Sequence, residues 1–297
     1  MPKMRSIFEQ SDLPSVDHFV VAFYFAFGIF AARFFLDSFV FRIYSSNQRL
    51  SIWLLCGGTS LAKIDDAARA KATKCAESMW KFTYFATIEV VTLASIYNEP
   101  FFRDTNELSR NWPNHNLKLS LKLIYMCQCG FYIYSIIALI TWETRRKDFS
   151  VSISHHVITL ILIAGSYVLR IFRVGTMLLA LHDASDVFLE AAKVFKYSER
   201  EFEASLFFGF FALSWLLLRL VYFPFWIIRQ TGYQSIKVVN MAEPFYQKMY
   251  YGFNTMLLTL LVFHIYWWKL ICAMIVKQMN NQGKVSEDVR SDSEDDE

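Results

Sequence analysis

The sequence predicts an all-α integral membrane protein of about seven transmembrane helices, and three observations carry that prediction. Of its 297 residues, 55% are hydrophobic and 18% aromatic, with 29 Phe, while only 19% are charged. A soluble domain lies nearer roughly 45–50% apolar and about 25% charged. Apolar runs of roughly 20 residues, the length that crosses a hydrocarbon core, recur along the chain. Between them the Lys and Arg residues gather in alternate connections, the pattern that marks the cytosolic side. The net charge of +3 is too small to argue for nucleic acid, and no basic arm or stacking platform accompanies it. Lipids and molecules that reach the membrane surface are the expected partners.

In chain order, residues 1–17 form a polar lumenal N-terminus and 18–40 a Phe-rich first anchor that is retained rather than cleaved. Residues 41–79 are a basic cytosolic segment with an Ala-rich stretch after Asp65-Asp66 that favours helix. A second span covers Trp80 to Tyr97, with Glu89 near its middle as a helix–helix contact. The loop Asn98–Asn116, marked by Glu99-Pro100 and Trp112-Pro113, is a lumenal connection. The third span, Leu117 to Trp142, ends in the cytosolic cluster Glu143-Thr144-Arg145-Arg146-Lys147-Asp148. The fourth, Phe149 to Leu169, and the fifth, Gly175 to Phe195, are joined by a very short turn. The sixth, Ala204 to Ile228, contains Arg219, which at mid-span requires a partner and points to a buried acid. A polar loop over Arg229–Gly252 leads to the seventh, Phe253 to Val276, which carries His264. The tail 277–297 ends in a block of acid and is predicted to be a disordered cytosolic segment. Cys56, Cys75, Cys127, Cys129 and Cys272 have neither disulfide nor zinc spacing and read as buried thiols.

The fourth and fifth spans hold what apolar spans normally exclude. A charged side chain at the bilayer centre costs roughly 2.5–3.5 kcal/mol on the lenient insertion scale, yet His155, His156, His182, Asp183 and Asp186 all lie in these two segments. At 1.5 Å per residue His155 is about 9 Å below the cytosolic surface, Asp186 about 15 Å and His182 about 20 Å. The two sets overlap in depth on antiparallel neighbours, so they can meet. His182 and Asp186 are four apart and share a face, with Asp183 and Glu190 in series beside them. A carboxylate that accepts from an imidazole fixes its tautomer and sharpens the other ring nitrogen as base or nucleophile.

Three chemistries use such parts: acyl transfer, with histidine as base or transient acyl acceptor; a metal site; and proton-coupled transport. Membrane di-iron enzymes use more histidines than the six present, and transporters show repeats and broken helices that these spans lack. Acyl transfer fits best. The alternatives are a non-catalytic lipid sensor or transporter and a metal-dependent lipid amidase.

The segments Trp142 to Phe149, Ser154-His155-His156-Val157-Ile158-Thr159, Leu181-His182-Asp183-Ala184-Ser185-Asp186, Lys193 to Tyr197 and Phe263-His264-Ile265-Tyr266-Trp267-Trp268 resemble the TLC-domain family, specifically its plant-type ceramide synthases. The resemblance implies a TLC catalytic domain over 80–276, with six of the helices in a barrel enclosing the site. It implies an endoplasmic-reticulum enzyme that transfers a fatty acyl group from acyl-CoA to the amine of a sphingoid base, without a cofactor or metal, as a homo- or heterodimer. It makes His155, His156, His182, Asp183 and Asp186 the catalytic residues. Arg145, Arg146, Lys147, Lys193, Lys196 and Arg200 surround the cytosolic mouth and suit CoA phosphates. Ser286, Ser291 and Ser293 precede acids and are candidate phosphorylation sites. Acyl-chain length is expected to follow the depth of the cavity beyond the histidines.

Overall fold

The computed structural model describes residues 14–36, 66–143, 145–238 and 240–280. The tail with Ser286, Ser291 and Ser293, the first 13 residues and 37–65, which is the end of the first anchor and most of the basic segment, lie outside the described residues. Among those described, every regular element is helical. A single turn at Val16–His18 leads into α1 (Phe19–Phe35). It is followed by α2 (Asp66–Ile96), α3 (Leu119–Thr141), α4 (Phe149–Val168), α5 (Phe172–Tyr197), α6 (Glu201–Lys237) and α7 (Pro244–Asn280). Helices α1 (with its leading turn), α3, α4, α6 and α7 are long and apolar enough to cross a membrane. Phe27 and Phe34 on α1 are 72% and 65% exposed, a surface that suits lipid and not water. The chain is a multi-pass membrane protein.

Helix α5 explains how so many charges are tolerated. It packs against α2, α4 and α6, including the second half of α6, so its polar face is enclosed by protein. Two tight turns set its ends. After α4, Arg170 takes a left-handed φ of 60°, while Ile171 N–H donates to Ser166 O at 2.8 Å. After α5, Glu199 does the same at φ 60° with Arg200 N–H on Phe195 O at 3.0 Å. Both are helix stops of the kind that turn a chain sharply back on itself, and they hold α4, α5 and α6 as successive neighbours.

Helix α1 lies close along α3 because residue 130 is glycine. A Cβ there would lie 2.7 Å from both Ala22 O and Phe25 Cβ, closer than two helix surfaces tolerate. At the N-terminal end of α1, His18 Nδ1 meets Tyr167 Oη at 2.5 Å. Both residues are buried, which ties α1 to α4.

Two segments are more continuously helical than expected. Helix α2 starts at Asp66, so the Ala-rich stretch and the second span are one helix. The polar segment Arg229–Gly252, expected to be a loop, is helical up to Lys237 and again from Pro244. Its polar side chains find partners within the fold: Gln230 Nε2 donates to Ser109 Oγ at 3.1 Å, Thr231 Oγ1 to Asn254 Oδ1 at 3.0 Å and Tyr250 Oη to Gly232 O at 2.7 Å. Over Trp215–Ile228 and Gln230–Gln234 α6 widens into π turns. Pro224, inside this stretch, has no N–H to give the ladder. The connection before α3 is also packed, with Phe101, Leu108 and Leu117 each 2% exposed or less.

Candidate active site

The fold gathers the predicted residues. His155 and His156 are presented by α4, and His182, Asp183 and Asp186 by α5. His155, His182 and Asp183 are buried, and His156 and Asp186 are partly exposed. His155 and His156 have ring centroids 5.8 Å apart. The rings of Trp267 and His264, both on α7, stand 5.2 and 6.2 Å from His155. Trp267 is itself fixed by donating Nε1–H to Asp148 Oδ2 at 2.8 Å, which links α7 to the start of α4.

The expected pairing of histidine with aspartate does not occur. His182 places Nδ1 2.7 Å from Leu178 O and Nε2 3.1 Å from His264 Nε2. Asp186 Oδ1 instead accepts from Arg219 Nη2 at 2.9 Å, and Asp183 Oδ2 accepts from Gln128 Nε2 at 2.5 Å. Four residues separate His182 from Asp186 on one helix face, but the strongest donors nearby are a guanidinium and an amide from other helices. Charge-assisted bonds of that kind outcompete a neutral imidazole. Arg219 has the buried acid its position requires. It also donates to His182 O at 2.8 Å and lies 4.2 Å over the Trp215 ring.

Two cavities flank this cluster. The first opens at the end of α5 that carries Lys193 and Lys196. Lys81, Glu143, Glu190, Lys193 and Lys196 line its mouth, and His155, His156, Asp186, Arg219 and Trp215 its floor. The space within it, its open mouth included, is about 1450 Å³. The second lies on the other side of the histidines, is bounded by Tyr132, Thr159 and His182, and continues past Leu178, Phe253 and Leu257 to Gln230 and Trp112. It holds about 1090 Å³ and its lining is almost wholly apolar. Along α7 it reaches from Leu260 back to Met249, a rise of about 17 Å. That is close to the half-thickness of about 15 Å that one acyl chain spans in a bilayer.

Of the predicted CoA-binding residues, Lys193 and Lys196 line the first cavity. Arg145 stacks 5.2 Å over Phe149, and Arg200 lies 3.9 Å from Glu203; neither they nor Arg146 and Lys147 line it. Lys81 does, bonded to Glu77 at 2.8 Å and Glu143 at 3.0 Å. Burial by itself would raise the Glu77 carboxyl, but the cations around it, Lys81 foremost with Lys193 and Arg146, together outweigh burial and hold it below the usual carboxylate range. Glu89, expected at a helix contact, has a buried Oε2 with no hydrogen-bond partner among the described residues.

Sequence reasoning placed His264 in the seventh span but left it out of the site. It is fully buried, stacked among His182, Phe223 and Trp215. A histidine in an otherwise apolar run was the available signal. Gln128, Tyr132 and Trp267 gave no signal of their own. Among the described residues, no three His, Cys, Asp or Glu side chains are grouped as a metal ligand set.

These features define a helical membrane protein with a buried histidine and acid cluster between a charged mouth and an apolar cavity. The chain belongs to the TLC-domain family, whose profile matches residues 74–273. It is 58% identical to ceramide synthase LOH2 of Arabidopsis thaliana over 286 residues, 95% of each chain. It is 57% identical to ASC1-like protein 3 of Oryza sativa subsp. japonica over 279 residues, covering 94% of this chain and 96% of the relative. Ceramide synthase 1 LOH3 of Arabidopsis thaliana is 46% identical over 307 residues, 99% and 97% of the two chains.

Proposed function

We propose that this chain is a ceramide synthase, an N-acyltransferase that joins the acyl group of an acyl-CoA to the amine of a sphingoid base. The observation that carries the reading is a histidine cluster that stands between two unlike cavities, His155 and His156 lining the charged one and His182 the apolar one. A polyanionic CoA suits the lysine-lined mouth, its acyl chain suits the apolar cavity beyond, and the thioester between them falls beside the histidines. The names of relatives that match nearly end to end agree with it.

The amine must lose a proton to attack the thioester carbon, and the leaving thiolate must gain one. His155 and His156 carry buried Nδ1 atoms without a partner among the described residues. An imidazole so placed serves as base toward the amine or takes the acyl group before passing it on. Asp186 with Arg219, and Asp183 with Gln128, position α5 and the His182–His264 pair rather than touching the histidine nitrogens. The reading requires no resident cofactor or metal.

In this reading seven helices cross the endoplasmic-reticulum membrane, six of them, within 80–276, forming a barrel around the site. The N-terminus is lumenal, and the lysine-lined mouth and acidic tail are cytosolic. Assembly as a homo- or heterodimer and phosphorylation at Ser286, Ser291 and Ser293 complete the proposal.

The test is amide formation by the purified protein in lipid micelles with sphinganine and a panel of acyl-CoAs, for wild type beside His155→Ala, His156→Ala and Asp186→Ala. Ceramide from the wild type, lost in folded variants, is the expected result. Folded wild type that makes no ceramide with any acyl-CoA would favour a lipid sensor or transporter instead.

A further inference from the structure

Glu190 is a buried acid with an unused oxygen. It is 4% exposed, and Oε1 accepts from Lys193 Nζ at 2.8 Å. Its Oε2 is buried without a hydrogen-bond partner among the described residues. A carboxylate oxygen only accepts, and burying one unpaired is unfavourable unless a donor arrives to meet it. The residue lines the cavity that holds His155, His156 and Asp186. On α5 it lies one turn beyond Asp186, about 6 Å nearer the mouth.

The other acids of the cavity are engaged. Asp186 holds Arg219 at 2.9 Å and Glu143 holds Lys81 at 3.0 Å. Among the described residues, Glu190 is the lining carboxylate with a buried oxygen left over. The thioester group has no hydrogen-bond donor and the pantetheine arm behind it offers only neutral N–H and O–H groups, whereas the head of a sphingoid base is an ammonium flanked by two hydroxyls. Of the two substrates, the amine is therefore the one that matches the charge of Oε2 as well as its need for a donor.

We propose that Glu190 is the recognition residue for the cationic amino-diol head of the acceptor, with Oε2 receiving its ammonium and Lys193 holding the carboxylate in place. This rests on the ceramide synthase reading. It divides an ion pair between two substrates: Glu190 faces the cation, and Lys193, on the same mouth, faces the phosphates of CoA. The amine enters as an ammonium on Glu190 and reacts at His155 and His156, which line the same cavity, after giving up its proton there.

The experiment is steady-state kinetics of the full chain in lipid micelles, varying sphinganine and acyl-CoA separately. Losing one charge-assisted contact is expected to raise the KM for sphinganine about tenfold or more in Glu190→Gln, with the KM for acyl-CoA within about twofold of wild type. Lys193→Gln is expected to raise the KM for acyl-CoA and, because it frees the Glu190 carboxylate, that for sphinganine as well, so the selective change belongs to Glu190→Gln. An ion pair that only braces α5 would move both constants together in Glu190→Gln too, and that result overturns the proposal. If Glu190→Gln does not fold, Glu190→Asp replaces it: a shortened carboxylate raises the sphinganine KM alone, and an unchanged value overturns the assignment. Active wild type with an unaltered sphinganine KM in the variant defeats only this inference, while inactive wild type defeats the enzyme reading itself.

Discussion

His182 and His264 face each other nitrogen to nitrogen, Nε2 to Nε2 at 3.1 Å, from α5 and α7. The contact assigns both tautomers. His182 Nδ1 lies 2.7 Å from a carbonyl, so it carries the proton, and its Nε2 accepts when the ring is neutral. His264 must then donate from Nε2, which leaves its Nδ1 as a bare acceptor, the atom that has no partner among the described residues. Substituting His264 by Ala removes the ring that holds His182 Nε2 in this geometry. Amide formation is expected to fall about a hundredfold in a variant that keeps its fold by circular dichroism. His264→Gln, which offers an N–H in place of the ring donor, should recover part of the loss.

Arg219 joins three partners: Asp186 Oδ1, His182 O and the Trp215 ring. Arg219→Met leaves Asp186, whose side chain is 23% exposed, without its partner, and losing one side of such a half-buried charged bond costs about 1–3 kcal/mol. A marked drop in melting temperature in micelles is the expected reading. Arg219→Met combined with Asp186→Asn should regain part of that stability without regaining activity. Arg219→Lys should not substitute, since an ammonium cannot reproduce the planar stacking and forked donors.

The apolar cavity passes Phe253, whose ring Gly165 faces. A Cβ on residue 165 would lie 2.7 Å from the Phe253 Cζ, and Phe253 lines the apolar cavity. Gly165→Ala pushes that ring across the space, so product chains should shorten. Phe253→Ala opens the same point and should shift the preference toward longer acyl-CoAs. Competition between acyl-CoAs of different length, read by mass spectrometry of the ceramides, decides it; identical profiles for both variants would remove the acyl chain from this cavity.

His115 lies outside the spans in the connection before α3, with Nε2 2.7 Å from Arg110 O. Burial lowers its pKa below the ordinary imidazole value. The stability this contributes is complete above the unfolded value of about 6.5 and is lost as pH falls through the lowered folded value, because the unfolded chain binds the proton first. Melting temperature should therefore decline on acidification below about pH 6.5, and His115→Asn should flatten that slope. A variant with the same slope as wild type would assign the acid sensitivity to another group.

Much of the site was legible because a membrane makes polarity conspicuous. His155, His156, His182, Asp183 and Asp186 stood out against apolar runs, and the depth estimate brought them to one level before any coordinates. Arg219 could be assigned a buried acid for the same reason. Polarity misled where the fold had its own partners: Gln230, Thr231 and Tyr250 read as a loop, yet they are helical and bonded to Ser109, Asn254 and Gly232.

By itself the sequence determined that the protein is helical, lies in a membrane and concentrates histidine and acid on two adjacent helices. Those properties follow from composition, run length and spacing, which are local. The tertiary structure decided which group each side chain meets. His182 was four residues from Asp186 and shared its face, but its nitrogen went to His264, 82 positions away, while Asp186 went to Arg219. Local spacing fixes which side chains share a face. The partner across that face is chosen by helices brought together from distant parts of the chain, where the strongest available donor takes the acid.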